Sequence, residues 1–233
     1  MKIGIVIAIN EEITILFEKL KKLKIIKYEI YGIKLYSGYF NKTKIILTKS
    51  GIGKVSNSIA CTILIKIYHV NLIINIGSAG KLTDNIKVFD IILANKICHH
   101  DINLKNFGYE IGVIPNFPKI FKIDKSLKNH TKKILSLSKM KYIEGLIVSG
   151  EQFINNTKKK QYILTNFPNA IAVDMESSAI SQACFQFQIP YIIIKIISDH
   201  SNKSSYIEFK KNIHVIAKMS YKILKNIINK IKF

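Results

Sequence analysis

The feature that most constrains this chain is the recurrence of short, β-branched-rich apolar runs, most of which end in a polar or glycine-containing loop. Ile3–Ile9, Thr43–Thr48, Leu72–Ile76, Asp90–Ala94, Leu146–Ser149, Ala170–Val173 and Tyr191–Ile197 are such runs. Near-continuous apolar runs of this length suit strands buried on both faces, as in a sheet covered by helices. Between them lie stretches that read as helices: Glu11–Leu23, Lys54–Ile67, Ser126–Leu137, Met175–Phe185 and Phe209–Lys230. In the last of these and just past its end, Ile213, Ile216, Ala217, Ser220, Leu224, Ile227 and Ile231 fall at three- and four-residue spacing, with lysines elsewhere. A basic amphipathic membrane helix would carry the same pattern, but the domain needs a cover, so a core-facing C-terminal helix is the reading taken. The expectation is one α/β domain over residues 1–233, built on a central, twisted, mixed but mostly parallel β-sheet flanked by helices.

Composition narrows the partners. A chain of 233 residues that is 48% hydrophobic can bury a sizeable core, and only 4 Pro and 11 Gly interrupt it. Disorder, collagen-like structure and a string of small domains are thereby excluded. The net charge of +21 would ordinarily point to nucleic acid or an anionic membrane. All 36 basic residues are lysine, however, with no arginine and no tryptophan. Arginine's rigid fork is the usual reader of guanine edges, so a dedicated nucleic-acid binder lacking it would be unusual. The chain also holds 49 isoleucines, and lysine, isoleucine and asparagine share A/T-rich codons. The bias therefore reads as genomic base composition over a solvated lysine surface; no nucleic-acid or membrane partner is expected, and the lysine run 158–160 reads as a solvated turn.

Cys61, Cys98 and Cys184 are odd in number, far apart in sequence and form no CxxC pair. This fits a reducing cytoplasm and argues against a disulfide framework or a zinc site. The adjacent His99 and His100 would face opposite ways in a strand, so no metal is expected. No apolar run approaches the ~18–20 residues of a membrane span. Residues 3–9 could pass for a signal-peptide core, but Asn10-Glu11-Glu12 follows with no small-residue cleavage site, so a buried first strand is the better reading.

If the strands run mostly parallel, their C-terminal ends converge on one crevice, where open α/β sheets bind ligands. Those ends deliver Asn10-Glu11-Glu12, Ser50-Gly51-Ile52-Gly53-Lys54, Gly77-Ser78-Ala79-Gly80, Ser149-Gly150-Glu151-Gln152-Phe153, Asp174-Met175-Glu176 and Ser198-Asp199-His200. The glycines complete neither a phosphate loop nor GxGxxG, so they read as tight turns, and no cofactor is expected. Glu12, Glu176 and Asp199 each follow an apolar run, where a charge is costly unless paired or used. Singly, each reads as a helix-terminal acid favoured by the dipole. Together, with Lys54 and Lys195 as the nearby cations, three carboxyls in one pocket would push their pKa values apart, so that one remains an acid while another acts as a base. That is equipment for cleaving a glycosidic-type bond through an oxocarbenium-like state.

Seven segments carry a family resemblance that runs essentially end to end: MKIGIVIAINEE at 1–12, KSGIGKV at 49–55, INIGSAG at 74–80, FGYE at 107–110, GLIVSGEQFI at 145–154, NFPNAIAVDMES at 166–177 and IISDHS at 196–201. With these the chain resembles the bacterial 5′-methylthioadenosine/S-adenosylhomocysteine nucleosidases of the nucleoside phosphorylase superfamily. The resemblance implies hydrolysis of the N-glycosidic bond of those two nucleosides, and of 5′-deoxyadenosine as a further candidate, with release of adenine, in methionine salvage. It implies Asp199 as the general acid on adenine N7 and Glu12 as the general base on water. Glu176 would hold the ribose hydroxyls, Met175 would pack on the ribose, and Ser78 would lie near the sugar or the water. Phe153 would stack on adenine, the Ile154 backbone would read its edge, and Ser198 would orient Asp199. An apolar sleeve for the 5′-alkylthio group would come from Ile9, Ile52 and Phe209 of one subunit and Leu104, Phe107 and Pro115 of the other in a homodimer. Without that context the aromatic residues and isoleucines read as core packing.

Two positions depart from the family pattern. Lys195 stands where arginine is usual and lacks its planar fork, and Ile9 stands where methionine is frequent. The nearest rival reading is a nucleoside phosphorylase, which would share Met175-Glu176 and Asp199 but must bind phosphate, a task arginines usually perform. A polyanion-binding protein using the lysine surface is the rival from another class; it predicts steeply salt-dependent binding and no adenine release.

Overall fold

A computed structural model describes residues 1–19, 26–30, 32–40 and 42–231. It is a single-domain α/β fold with a mixed sheet flanked by helices. In chain order the elements are β1 (Lys2–Ile7), α1 (Asn10–Lys19), β2 (Ile26–Ile30), β3 (Ile33–Phe40), β4 (Thr43–Lys49), α2 (Lys54–Lys66), β5 (Leu72–Lys81), β6 (Ile91–His99), a 3-10 turn (Lys105–Phe107), β7 (Phe121–Lys122), α3 (Lys125–Leu137), β8 (Ile143–Ser149), α4 (Thr157–Asn166), β9 (Ala170–Asp174), α5 (Ser177–Gln186), β10 (Tyr191–Asp199) and α6 (Ser205–Lys230). The expected helix end at 20–23 lies outside the described residues.

The strands follow the order β10-β6-β8-β9-β5-β1-β4-β3-β2, and β10 also pairs with β5. Strands β5, β10, β6, β8 and β9 thus form a ring, from which β1, β4, β3 and β2 extend as an arm. Parallel pairings join β4, β1, β5 and β10, and separately β6, β8 and β9. The apolar runs are continuous because both faces are covered. In β10, Ile192, Ile194 and Ile196 enter one core with α3 and α6, while Tyr191, Ile193 and Ile197 enter the other with α2 and α5. In β5, Leu72, Ile74 and Ile76 face the first core and Ile73 and Ala79 the second. The C-terminal helix does face the core: Ile213, Ile216, Leu224 and Ile227 are buried, and among the described residues no helix is long and apolar enough to cross a membrane.

Four local readings change. The hairpin β2–β3 is absent from the expected strands because it is covered on one side: Ile33 and Leu35 are buried and Lys34 between them is exposed, an alternation rather than a run. The lysine run 158–160 is no turn; it opens α4, whose N-cap Asn156 accepts a hydrogen bond from Lys158 N at 2.8 Å. Gly77 and Gly80 lie inside β5 rather than in a turn. Helix α6 starts at Ser205, four residues before the expected Phe209, because its first turn, Ser205-Tyr206-Ile207-Glu208, points Tyr206 and Ile207 outward and so lies outside the core-facing apolar period. The structure also places Cys61 and Cys184, distant in sequence, beside each other where α2 meets α5; burial pushes the Cys184 thiol well up, with Cys61 adding to it.

Candidate active site

The converging strand ends enclose a cavity of about 490 Å³. Of the expected site residues, Ile9, Glu12, Ile52, Ser78, Phe153, Ile154, Met175, Glu176, Ser198, Asp199 and Phe209 all line it. Leu104, Phe107 and Pro115 do not: they belong to the segment around the 3-10 turn, where Phe107 is 76% exposed.

Each carboxyl is delivered by a short switch in backbone direction. Glu12 stands in the first turn of α1, immediately after β1, and its Oε1 accepts the Ser78 N–H at 3.0 Å. Glu176 is the N-cap of α5, two residues after β9. Its Oε1 accepts the N–H of Gly53 at 3.2 Å, across the site from the start of α2. Gly53 has φ +92°, a left-handed conformation that a side chain would resist, and this conformation turns its N–H toward the carboxylate. Asp199 closes β10, with Oδ2 accepting the Ser198 hydroxyl at 2.6 Å and Oδ1 the Ser201 N–H at 2.9 Å.

Lys195 is 2% exposed and sits among these acids. Its Nζ lies 2.8 Å from Asp174 Oδ2 and 3.8 Å from Glu176 Oε2. Its primary partner is therefore Asp174, a residue that sequence reasoning left without a role. Asp174 in turn accepts from the Ser149 hydroxyl at 2.5 Å and from Ser177. Its place at a strand end beside Met175-Glu176 was the available signal. A buried ammonium without such partners would be strongly destabilising; burial alone would push the Lys195 pKa down, but Asp174 and Glu176 outweigh it and hold it above the ordinary value. The other expected cation, Lys54, is engaged elsewhere, with Asp101 at 2.7 Å.

Burial pushes Glu12 up to about 7, the Lys195 charge opposing and the Glu176 charge reinforcing the shift. Burial likewise pushes Glu176 up to about 7, with Lys195 opposing and Asp174 reinforcing. Asp199 is raised by burial despite hydrogen bonds from Ser198 and Ser201 that favour its anion. Such a floor combines carboxyls able to hold a proton near neutrality with carboxyls able to accept one. The mouth is different in kind. Phe153 meets Phe209 edge-to-face at 6.1 Å, and Ile52 is 58% exposed. Tyr206 and Lys210 also line the cavity, and neither was expected there.

The sequence model of the phosphorylase superfamily matches residues 2–229. A Buchnera aphidicola protein (subsp. Acyrthosiphon pisum) named 5′-methylthioadenosine/S-adenosylhomocysteine nucleosidase is 46% identical over 230 residues, covering 98% of this chain and 97% of its own. The chain belongs to this nucleosidase family. Solved structures agree. An S-adenosylhomocysteine nucleosidase from Streptococcus pyogenes, in complex with 5-methylthiotubericidin, superposes with a TM-score of 0.94 at 31% identity, covering 100% of this chain and 98% of that one. A futalosine hydrolase of Helicobacter pylori reaches 0.95 at 28% identity, covering 99% and 98%. The backbone is thus shared with proteins named for different substrates.

Proposed function

We propose that the chain hydrolyses the N-glycosidic bond of 5′-methylthioadenosine and S-adenosylhomocysteine, and of 5′-deoxyadenosine, releasing adenine and the corresponding sugar. The observation that carries this reading is one cavity in which Glu12 and Asp199, both buried and both with raised pKa, meet from different elements. Asp199 gives a proton to adenine N7 as the bond from the sugar to N9 breaks with its electron pair going to the purine. The sugar passes through an oxocarbenium-like state. Water then adds at the anomeric carbon and Glu12 takes its proton. Glu176, fixed by Gly53, holds the ribose hydroxyls, and those bonds strengthen as positive charge grows on the sugar. Met175 packs on the ribose, and Ser78 lies near the sugar and the water. Phe153 stacks on the base, the Ile154 backbone reads its edge, and Ser198 orients Asp199.

Around the 5′-substituent, Ile9, Ile52 and Phe209 form an apolar sleeve that Leu104, Phe107 and Pro115 of a second subunit complete. An exposed apolar patch favours that homodimer: Val55 and Ile59, one turn apart in α2, are 71% and 43% exposed, and Ile52, just before the helix, is 58% exposed. The three free cysteines favour a cytoplasmic site of action.

Hydrolysis rather than phosphorolysis follows from the cations. The chain has no arginine, and the buried ammonium on the cavity wall is already engaged by Asp174 and Glu176. On the floor a phosphate anion would meet carboxylates, and the other lining lysine, Lys210, lies over the Tyr206 ring at the mouth. The test is adenine release from 5′-methylthioadenosine with and without phosphate. We expect equal rates and free 5-methylthioribose; release that requires phosphate and yields the 1-phosphate would defeat the reading.

A further inference from the structure

Two buried side-chain atoms of residues lining the cavity, Asn75 Oδ1 and Ser201 Oγ, have no hydrogen-bond partner among the described residues, and only the second belongs to the loop that holds Asp199. Ser201, in the loop between β10 and α6, is fully buried and lines the cavity. Its Oγ has no hydrogen-bond partner among the described residues. The neighbouring hydroxyls are occupied: Ser198 Oγ donates to Asp199, and Ser205 Oγ accepts from Asn202 N at 2.7 Å. Ser201 also has φ +52°, a left-handed backbone uncommon for a residue with a side chain. That conformation lets its N–H donate to Asp199 Oδ1 at 2.9 Å, which fixes the hydroxyl beside the acid. Across from it stands Gly80 of β5. A Cβ at Gly80 would collide with Ser201 Oγ and come within 3.0 Å of Asp199 Oδ1. The strand is thus hollowed at the place where the unpaired hydroxyl and the acid lie together. Buried polar groups are nearly always satisfied, and one left open in a ligand cavity calls for a ligand atom.

We propose that Ser201 is a specificity-determining contact to the leaving purine, its Oγ accepting a hydrogen bond from the exocyclic 6-amino group of adenine. The assignment rests on the proposed function, in which Asp199 serves N7. N7 and the 6-amino group share one edge of adenine, so a group fixed beside the N7 donor meets the 6-position. The 6-amino group is a donor and needs an acceptor, which a hydroxyl supplies through its lone pairs while its own proton rotates elsewhere.

The test compares 5′-methylthioadenosine with its analogue carrying hydrogen at C6, in the wild type, Ser201→Gly and Ser201→Ala. Glycine removes the hydroxyl while keeping the left-handed backbone relaxed, so a loss shared by both variants is not backbone strain. We expect kcat/KM on the 6-amino substrate to fall about tenfold, the scale of one hydrogen bond, and on the 6-hydrogen analogue less than about twofold. Equal losses on both substrates, or none on either, would overturn the contact, because a purely structural role moves both together. A wild type that releases base from neither nucleoside would sink the proposed function itself, and this contact with it.

Discussion

The floor and the mouth of the cavity are built on opposite principles. On the floor, Glu12, Lys195 and Asp199 are each 2% exposed, and every charge is tied to a backbone N–H, a hydroxyl or an opposite charge. At the mouth, Ile52 and Tyr206 are 58% and 61% exposed. The contacts there are an edge-to-face ring pair and the Lys210 ammonium 5.9 Å from the Tyr206 ring. A network of buried charges leaves no member free to change, since removing one strands the others. An apolar rim in partial contact with water tolerates substitution. On the proposed function, the floor would carry the reaction and the mouth would select the 5′-substituent.

The sharpest way to break this contrast is to neutralise the floor. Asp199→Asn and Glu12→Gln should each lower kcat about 10²–10⁴-fold, the usual scale of general acid–base catalysis, with cooperative thermal unfolding retained. Near-normal turnover in either would remove that residue from its role. The smallest effect belongs to the mouth. Ile52→Ala should lower kcat/KM for 5′-methylthioadenosine less than about tenfold, because it trims one of several apolar side chains around the 5′-substituent and strands no charge. A loss rivalling that of Glu12→Gln would erase the distinction between the two regions.

The two regions were also unequally legible. Buried strands announce themselves as unbroken apolar runs, so whatever follows them stands out, and Glu12, Glu176 and Asp199 could be read as costly charges at strand ends. Asp174 and Ser201 stand at or just after the same strand ends but gain their meaning only in three dimensions: an ammonium 2.8 Å away for one, and for the other a hydroxyl without a partner among the described residues. Tyr206 reaches the cavity from the first turn of α6, which begins before the expected Phe209, and Lys210 follows one turn on, where its charge gave no sign of facing the site. The β2–β3 hairpin and the lysine-rich α4 escaped because one-sided burial and helix capping leave no continuous run. A resemblance to a known family supplied roles for Phe153 and Ile52 that their own chemistry, apolar and unremarked, could not.

On the proposed function, Glu12 must be ionised to activate water and Glu176 to hold the sugar, and the pH dependence of kcat/KM reads both requirements at once. Both carboxyls are pushed up to about 7 by burial, so activity should fall as the pH drops below that value, by protonation of the pair. Unfolding is not the cause. For Glu12, ordinary value 4.5, the native state binds more protons than the unfolded chain between pH 4.5 and about 7. Its contribution to stability is therefore fully present below pH 4.5 and is lost as the pH rises through about 7. Well below the midpoint the wild-type limb should approach the steepness of two protons, one for each carboxyl. In Glu12→Gln the residual activity should follow one proton only, that of Glu176. An acid limb of the same position and steepness in both proteins would contradict the assignment of Glu12.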